Sequence, residues 1–330
     1  MSAATDAPPL LVVDSLVKHF PVRGGLLLRQ RGVVHAVDGV SLHVRAGETL
    51  GLVGESGCGK STLGRAILWL DPPDTGTVHL AGQDLRQRSR QEIRALRQKM
   101  QIVFQDPYES LNSRHTIGQI LTEPYLIHRL GSAAERGRWV DELLTRVGLP
   151  GDARDRYPHE FSGGQRQRVG IARALALEPQ LIVCDEAVSA LDVSVQAQIL
   201  NLLLQLQREL GLALLFIAHD LAVVKHVSDR IAVMYLGRIV ETATSHAINT
   251  TPRHPYTKAL LSAIPVPDPR HTARRVLLTG DVPSPIDPPP GCRFHTRCVH
   301  AIDRCRSEVP HLEDIGAGAS VACHRWRDLT

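Results

Sequence analysis

The sequence predicts an α/β fold with buried parallel strands, an antiparallel part and a helical part. One observation is a glycine-rich stretch, residues 54–62, that follows the short apolar run 48–53 and precedes a helical pattern. Another is a pair of continuous apolar runs, 181–184 and 214–218, on either side of a helical pattern at 195–210. Continuous apolar runs of this length are typical of parallel strands buried on both faces. Together they predict strand–helix–strand units around a buried sheet.

The N-terminal stretch predicts the antiparallel part. Residues 10–14 and 37–44 are short apolar stretches bounded by turns, which indicates two strands of an antiparallel sheet. Residues 22–31 lie between them and are basic and glycine-containing, so we expect a surface insertion there.

The middle of the chain predicts the helical part. Residues 84–100 are polar and basic and predict a solvated helix or helical linker, and residues 100–105 predict a strand. From about 112 to 178 the pattern becomes helical, with apolar residues at helix spacing in 139–147. We therefore expect a helical subdomain over residues 112–178.

The composition changes near residue 250, after which prolines are frequent and four of the six cysteines occur. Closely spaced prolines make a long regular helix unfavourable. We expect residues 1–250 to form one domain and residues 251–330 a separate, small, cysteine-containing C-terminal appendage.

Composition and charge narrow the class of protein. The chain has 330 residues, of which 43% are hydrophobic and 22% charged, as in ordinary globular proteins. A net charge of +4 suits an anionic ligand or a membrane surface without requiring either. We expect no signal peptide in residues 1–10 and no membrane span, because no window approaches 18 consecutive apolar residues. In a reducing cytosol, cysteines are expected as thiols or metal ligands rather than disulfides.

The glycine-rich stretch predicts a phosphate-binding loop, because it fits Gly-x-x-x-x-Gly-Lys-Ser/Thr between a strand and a helix. Glycines let several backbone N–H groups face one anion, and the helix start adds partial positive charge. Lys60 would reach the β- and γ-phosphates of ATP, and Ser61 would ligate Mg²⁺. The predicted loop residues are Gly54, Glu55, Ser56, Gly57, Cys58, Gly59, Lys60, Ser61 and Thr62.

Two adjacent carboxylates, Asp185 and Glu186, follow the apolar run 181–184. Asp185 would orient the Mg²⁺ shell. We expect Glu186 to point the other way along an extended backbone and to polarise the attacking water as a general base.

A second anion site is predicted at residues 162–165, Ser-Gly-Gly-Gln, which open an apparent helix. Taken alone, the same residues also fit an ordinary helix capped by Ser162.

In order and spacing, these motifs resemble those of the ATP-binding subunits of ABC transporters over about residues 10–245. The matching motifs are Walker A at 54–62, the Q-loop glutamine Gln105, the signature at 162–165, Walker B ending at Asp185 and Glu186, the D-loop at 189–192 and the switch histidine His219. The resemblance implies an α/β P-loop NTPase core with an antiparallel β-subdomain and a helical signature subdomain. It also implies a head-to-tail dimer in which the signature of one chain contacts the ATP held by the other.

The resemblance also assigns residue roles. The implied catalytic residues are Lys60, Gln105, Glu186 and His219. The implied Mg²⁺ ligands are Ser61, Gln105 and Asp185. The implied nucleotide contacts outside the glycine loop are Phe20, which would stack on adenine, Gln105, Ser162, Gly163, Gly164, Gln165 and Asp192.

The C-terminal stretches 254–265 and 291–298 resemble the extension of oligopeptide and dipeptide permease ATPases, and the core resembles their F-type subunit. This implies ATP hydrolysis that powers peptide uptake at the cytoplasmic face of the inner membrane. The implied partners are a D-type ATPase subunit, two transmembrane permease subunits and, indirectly, an extracellular solute-binding protein. Nucleic acid is not an expected partner. An importer of nickel or another small solute, a soluble non-transport ABC ATPase and a regulatory nucleotide-binding module remain alternatives.

Four cysteines of the C-terminal region, Cys292, Cys298, Cys305 and Cys323, are spaced for a possible metal centre. Four thiolates can hold zinc or an iron–sulfur cluster, and the absence of a Cys-x₂-Cys pair disfavours a zinc ribbon. The resemblance implies a [4Fe-4S] cluster, with zinc and unligated thiols as alternatives. We expect the nucleotide-binding core to bind ATP independently of this region.

Overall fold

The computed structural model describes residues 8–24, 29–264, 278 and 280–329. The strands are β1 (Leu11–Gly24), β2 (Arg29–Val44), β3 (Thr49–Val53), β4 (Thr75–Leu80), β5 (Gln83–Asp84), β6 (Met100–Val103), β7 (Leu181–Asp185), β8 (Ala213–Ala218), β9 (Arg230–Tyr235), β10 (Arg238–Thr244), β11 (Glu313–Gly316) and β12 (Ala319–Val321). The helices are α1 (Lys60–Ile67), α2 (Arg90–Leu96), α3 (Pro107–Ser110), α4 (Ile117–Ile127), α5 (Ala133–Arg146), α6 (Gly163–Leu175), α7 (Val193–Leu210), α8 (Leu221–Val227), α9 (Ser245–Thr250), α10 (Pro255–Ser262) and α11 (Asp303–Ser307).

The chain forms two compact units, each described here by itself. The first, called the loop unit, comprises residues 1–44, 49–87 and 217–330. The second, called the signature unit, comprises residues 45–48 and 88–216. The mixed α/β architecture with an antiparallel sheet and a helical part confirms the predicted fold class.

The antiparallel sheet of the loop unit has the strand order β2-β1-β4-β5. The two predicted strands are present but longer than expected, because β1 and β2 pair as far as Gly24 and Arg29. Residues 22–24 and 29–31 belong to these strands, and the expected surface insertion stays a prediction. Residues 25–28 lie outside the described part of the chain.

The loop unit also contains a mixed set of strands in the order β11-β12-β10-β9-β3. Strand β3 is buried at every position and runs parallel to β9, with Val53 opposite Val233. Strand β10 pairs antiparallel with both β9 and β12. The C-terminal strand β12 thus extends the sheet that carries the glycine loop. The predicted domain boundary near residue 250 remains a prediction.

The signature unit contains the predicted strand–helix–strand pattern, with the neighbouring strands β8-β7-β6 and helix α7 between β7 and β8. Strands β6 and β7 run parallel, with Met100 opposite Leu181. Helices α4 to α6 confirm the helical pattern of residues 112–178. Helix α7 ends at Leu210, and the next residue, Gly211, has a φ of 64°, the left-handed conformation that follows many helices.

The predicted helix over residues 84–100 is shorter than expected. Its helical part is α2, which begins after Ser89; the Ser89 and Glu92 side chains form a reciprocal capping box there. Among the described residues, we find no helix with the length and apolar character needed to cross a bilayer.

Candidate nucleotide-binding site

The glycine loop connects β3 to α1 in the loop unit and requires glycine at two positions. Gly57 and Gly59 have φ values of 77° and 104°, which side-chain-bearing residues rarely adopt. A Cβ on Gly59 would lie 1.9 Å from the carbonyl oxygen of Ala36 in β2. The loop therefore passes so close to β2 that a larger residue would displace backbone.

Lys60 lies at the start of α1 and is buried. Its Nζ donates hydrogen bonds to the carbonyl oxygens of Gly54, at 2.8 Å, and Glu55, at 3.0 Å. The ammonium group of Lys60 is thus hydrogen-bonded to backbone carbonyl oxygens of the glycine loop itself. Ser61 and Thr62 follow in the first turn of the same helix.

Cys58 contributes packing to the loop, because its side chain is buried and its Sγ lies 3.9 Å from Lys60 Nζ. Burial raises the pKa of this thiol. A protonated buried thiol is a poor nucleophile and metal ligand.

Phe20 lies in β1 opposite Val34 of β2. The residue is 38% exposed, and Lys18 Nζ lies over its ring, 5.4 Å from the ring centre. His219 also belongs to the loop unit, where it follows β8, and its side chain is exposed.

In the signature unit, Asp185 is the last residue of β7 and is buried. Glu186 follows it directly in the chain. The structure brings Glu186 and Gln105 together: Gln105 Nε2 donates to Glu186 Oε2 at 3.0 Å. The expected extended backbone at Glu186 is wrong, since its φ is 47°. The chain turns there, and the Glu186 carbonyl accepts hydrogen bonds from the N–H and hydroxyl of Ser189.

Ser162 caps α6, as the capping interpretation predicted. Its Oγ accepts from Gln165 N–H at 3.4 Å, and Gln165 Oε1 accepts from Ser162 N–H at 3.0 Å. A Cβ on Gly164 would lie 2.3 Å from Val195 in α7, so close packing of these helices requires glycine. Gly163, next to the cap, opens the helix.

Asp192 caps the neighbouring helix α7 by accepting from Val195 N–H at 3.0 Å. That hydrogen bond and a second one from the Ser194 hydroxyl lower the pKa of Asp192. The carboxylate therefore stays ionised near neutral pH.

The four C-terminal cysteines converge on one small pocket of the loop unit, which His254, His295, His300 and His324 also line. Burial raises the pKa of Cys292 to about 12 and of Cys323 to about 11. Cys184, in β7, is fully buried and lies in the signature unit, so it does not belong to this pocket.

Three groups of the C-terminal region, two of which contact the glycine loop, were missed by sequence reasoning. Arg297 binds the Glu55 carboxylate through two nitrogens, at 2.7 and 3.1 Å, and Tyr256 Oη accepts from Glu55 N–H at 2.9 Å. Arg293, four residues before Arg297, binds Asp38 and the carbonyl of Leu236. The contacts of Arg297 and Tyr256 join the glycine loop to the C-terminal region, while the expectation that the core binds ATP independently of that region stays a prediction. The sequence signal for the two arginine contacts was the pair Arg293 and Arg297, which lie four positions apart between Cys292 and Cys298.

Near these arginines, one nitrogen from each of His19 and His35 and an oxygen of Asp38 lie within 4.8 Å of one another, a spacing that a metal ion would suit. Asp38, however, already binds Arg238 at 2.9 Å as well as Arg293. Two guanidinium cations on the only carboxylate oppose a divalent cation. We interpret the group as an ion-pair network that ties β2 to the C-terminal region.

The glycine loop, the carboxylate pair after a buried strand and the capped Ser-Gly-Gly-Gln helix define an ATP-binding cassette protein. A family model described as ABC transporter matches residues 37–189, and one described as oligopeptide/dipeptide transporter, C-terminal region, matches residues 240–305.

Sequence similarity to peptide-transport ATP-binding proteins extends over nearly the whole chain. The probable peptide ABC transporter ATP-binding protein y4tS of Sinorhizobium fredii is 56% identical over 315 residues, covering 96% of this chain and 89% of the relative. The dipeptide transport ATP-binding protein DppF of Escherichia coli is 51% identical over 320 residues, covering 97% of this chain and 95% of the relative. The chain belongs to the ATP-binding subunits of oligopeptide and dipeptide ABC transporters, which are ATPases coupled to transport.

A solved structure supports the cassette fold. The dimeric cassette MJ0796, described as a post-hydrolysis state bound to ADP and Pi, matches with a TM-score of 0.63 and 28% identity. The match covers 71% of this chain and 98% of that chain.

Proposed function

We propose that this protein binds and hydrolyses ATP to energise uptake of dipeptides or oligopeptides. It would act at the cytoplasmic face of the inner membrane, paired with a D-type ATPase subunit and bound to two permease subunits that receive cargo from an extracellular solute-binding protein. The observation that carries the proposal is similarity to peptide transport proteins across 97% of the chain, C-terminal region included.

The glycine loop and Lys60 bind the phosphates of ATP, with Phe20 against the adenine. Ser61, Gln105 and Asp185 provide oxygen ligands of the kind that Mg²⁺ prefers, and bound Mg²⁺ would neutralise charge on the β- and γ-phosphates. The donor set supports this fit, because a hydroxyl, an amide oxygen and a buried carboxylate are all hard oxygen ligands.

Glu186 acts as the general base that orients the attacking water, and His219 contacts the γ-phosphate. The hydrogen bond from Gln105 to Glu186 supports related roles, because it holds the two side chains next to each other. Gln105 would offer its amide oxygen to Mg²⁺, and Glu186 would hold the attacking water.

The signature residues 162–165 and Asp192 serve the nucleotide of the D-type partner. Ser162 Oγ already accepts a helix N–H and keeps its hydroxyl proton to donate to a phosphate oxygen. The dimeric MJ0796 cassette supports this pairing by analogy.

The test is peptide uptake by the assembled transporter in vesicles, with labelled dipeptide, labelled oligopeptide and nickel as competing cargoes. We expect ATP-dependent uptake of a peptide. Glu186→Gln, which keeps side-chain volume and removes the basic carboxylate, should retain ATP binding and reduce turnover by at least about 100-fold. Uptake of nickel alone, or ATPase activity indifferent to the permease subunits, would overturn the assignment.

For the cysteine pocket we propose a structural [4Fe-4S] cluster ligated by Cys292, Cys298, Cys305 and Cys323. The convergence of four thiols on one pocket supports this fit.

A bound cluster would cross-link a region with few elements of regular structure and so add folding free energy. Protein purified without oxygen should be brown and carry about four irons per chain. Stoichiometric zinc would support the zinc alternative, and a metal-free protein after anaerobic purification would leave free thiols.

A further inference from the structure

Glu55, the second residue of the glycine loop, has all of its polar groups engaged. Its N–H donates to Tyr256 Oη at 2.9 Å, and its carbonyl accepts from Lys60 Nζ at 3.0 Å. Its carboxylate accepts two hydrogen bonds from Arg297. Two of these three contacts come from residues more than 200 positions away in the C-terminal region.

The Arg297 guanidinium depends on this carboxylate. Its side chain is only 8% exposed, and its Nε is buried with no hydrogen-bond partner in the described part of the chain. The remaining contact is to Tyr235 Oη at 3.5 Å. A buried guanidinium needs a close anion to offset lost hydration, so the pair with Glu55 fixes both side chains. The Glu55 carboxylate accordingly raises the pKa of Arg297.

The two residues that hold Glu55 are themselves fixed by packing. Tyr256 is fully buried, and its ring centre lies 4.7 Å from that of Tyr235 and 5.4 Å from that of Phe294. The turn that presents Arg297 is closed by a hydrogen bond from its own N–H to the Phe294 carbonyl, at 3.0 Å. The support for the loop is thus a packed aromatic cluster rather than a single surface ion pair.

We propose that Arg297, together with Tyr256, is a positioning residue for nucleotide binding that sets the glycine loop before ATP arrives. Glycine-rich loops lose much conformational entropy on binding, and a loop that is already held loses less. The inference requires only that the loop binds ATP, and it holds whether or not the cysteine pocket carries a cluster.

This arrangement predicts an effect on binding rather than on chemistry. Arg297 touches Glu55, which is not one of the groups assigned to the γ-phosphate or the attacking water. Loss of the contact should therefore raise the Kd and KM for MgATP and leave kcat at saturating ATP nearly unchanged.

The experiment uses the full chain for MgATP titration and the assembled transporter for ATPase kinetics. Arg297→Met, which keeps length and removes charge, should raise the Kd about tenfold, or about 1.4 kcal/mol. Arg297→Lys keeps the charge without the two-pronged contact and should restore part of the affinity. Arg327→Met is the matched control, because Arg327 pairs with Glu313 in the same region but is 69% exposed.

If Arg297→Met does not fold, the same MgATP titration is made with Glu55→Gln. It should raise the Kd similarly, and the double variant should bind MgATP no worse than the weaker single variant, as expected for residues that act through one contact. Iron content and circular dichroism are measured on every variant. An unchanged Kd in Glu55→Gln, strictly additive losses, or a Kd that rises only in proportion to unfolded protein would overturn the proposal.

Discussion

His254 makes the stability of the loop unit depend on pH in a way that can be calculated. Its imidazole is fully buried. His254 caps α10, because its Nδ1 accepts a hydrogen bond from the N–H of Tyr256. Burial lowers the pKa of His254 to about 3. The folded protein therefore keeps this histidine neutral where an exposed histidine, with a pKa of about 6.5, would take up a proton.

The direction in which stability changes with pH follows from how many protons His254 binds in the folded and the unfolded chain. Between about pH 6.5 and pH 3 the unfolded chain binds more protons at His254 than the folded chain, so stability falls as pH falls. From pH 7.5 to pH 5.0 the pKa difference amounts to about 2 kcal/mol of unfolding free energy. Glu241, which accepts N–H groups from Arg253 and His254, acts in the opposite direction because burial raises its pKa.

The assay compares urea unfolding of the wild-type chain and His254→Asn at pH 7.5 and 5.0. Asparagine retains an oxygen that can cap α10 but does not titrate. Both proteins contain Glu241, so the difference between them isolates the histidine. The wild type should lose about 2 kcal/mol more than the variant on acidification, and His226→Asn, at an exposed histidine of α8, should behave as the wild type. Equal losses in wild type and His254→Asn would refute the reasoning.

Four further outcomes are expected. Lys60→Ala should raise the Kd for MgATP at least about tenfold, since it removes the loop's ammonium group; unchanged binding in a titration would contradict this. Phe20→Ala should weaken the binding of ATP but not the binding of inorganic triphosphate, and an equal loss of affinity for both would exclude adenine stacking. The isolated chain should hydrolyse ATP much more slowly than the assembled transporter, whereas full-rate turnover by a verified monomer would contradict a shared site. Cys298→Ser should lower bound iron on metal analysis, while Cys184→Ser, in buried β7, should not.

The motif residues could be predicted from sequence because each motif is local. Residues 54–59 form a loop between β3 and α1, residues 60–62 begin α1 as their pattern requires, and Ser162 caps a helix as its sequence context indicates. The hydrogen bond between Gln105 and Glu186 joins two residues that the resemblance had already given related roles.

The support of the glycine loop could not be predicted in the same way. Glu55 and Arg297 are separated by 242 positions, and Glu55 and Tyr256 by 201. Local patterns carry no information about pairing over such distances, which is set by packing of the whole unit. The left-handed backbone at Glu186 was missed for another reason: it follows from the turn that begins after β7, and glutamate has no special preference for that conformation.

Three interactions of the C-terminal region reach the strands beside the glycine loop or the loop itself. Strand β12 extends the sheet by pairing with β10, Phe294 and Tyr256 pack on Tyr235, and Arg297 binds Glu55. Each interaction ends at β9, β10 or the glycine loop, and none requires the signature unit. Damage to the C-terminal region should therefore appear first as weaker ATP binding by this chain. Damage at Ser162, by contrast, should leave this chain's own ATP binding intact and reduce turnover at the partner's nucleotide, so the two classes of variant are separable by titration and turnover in one assembly.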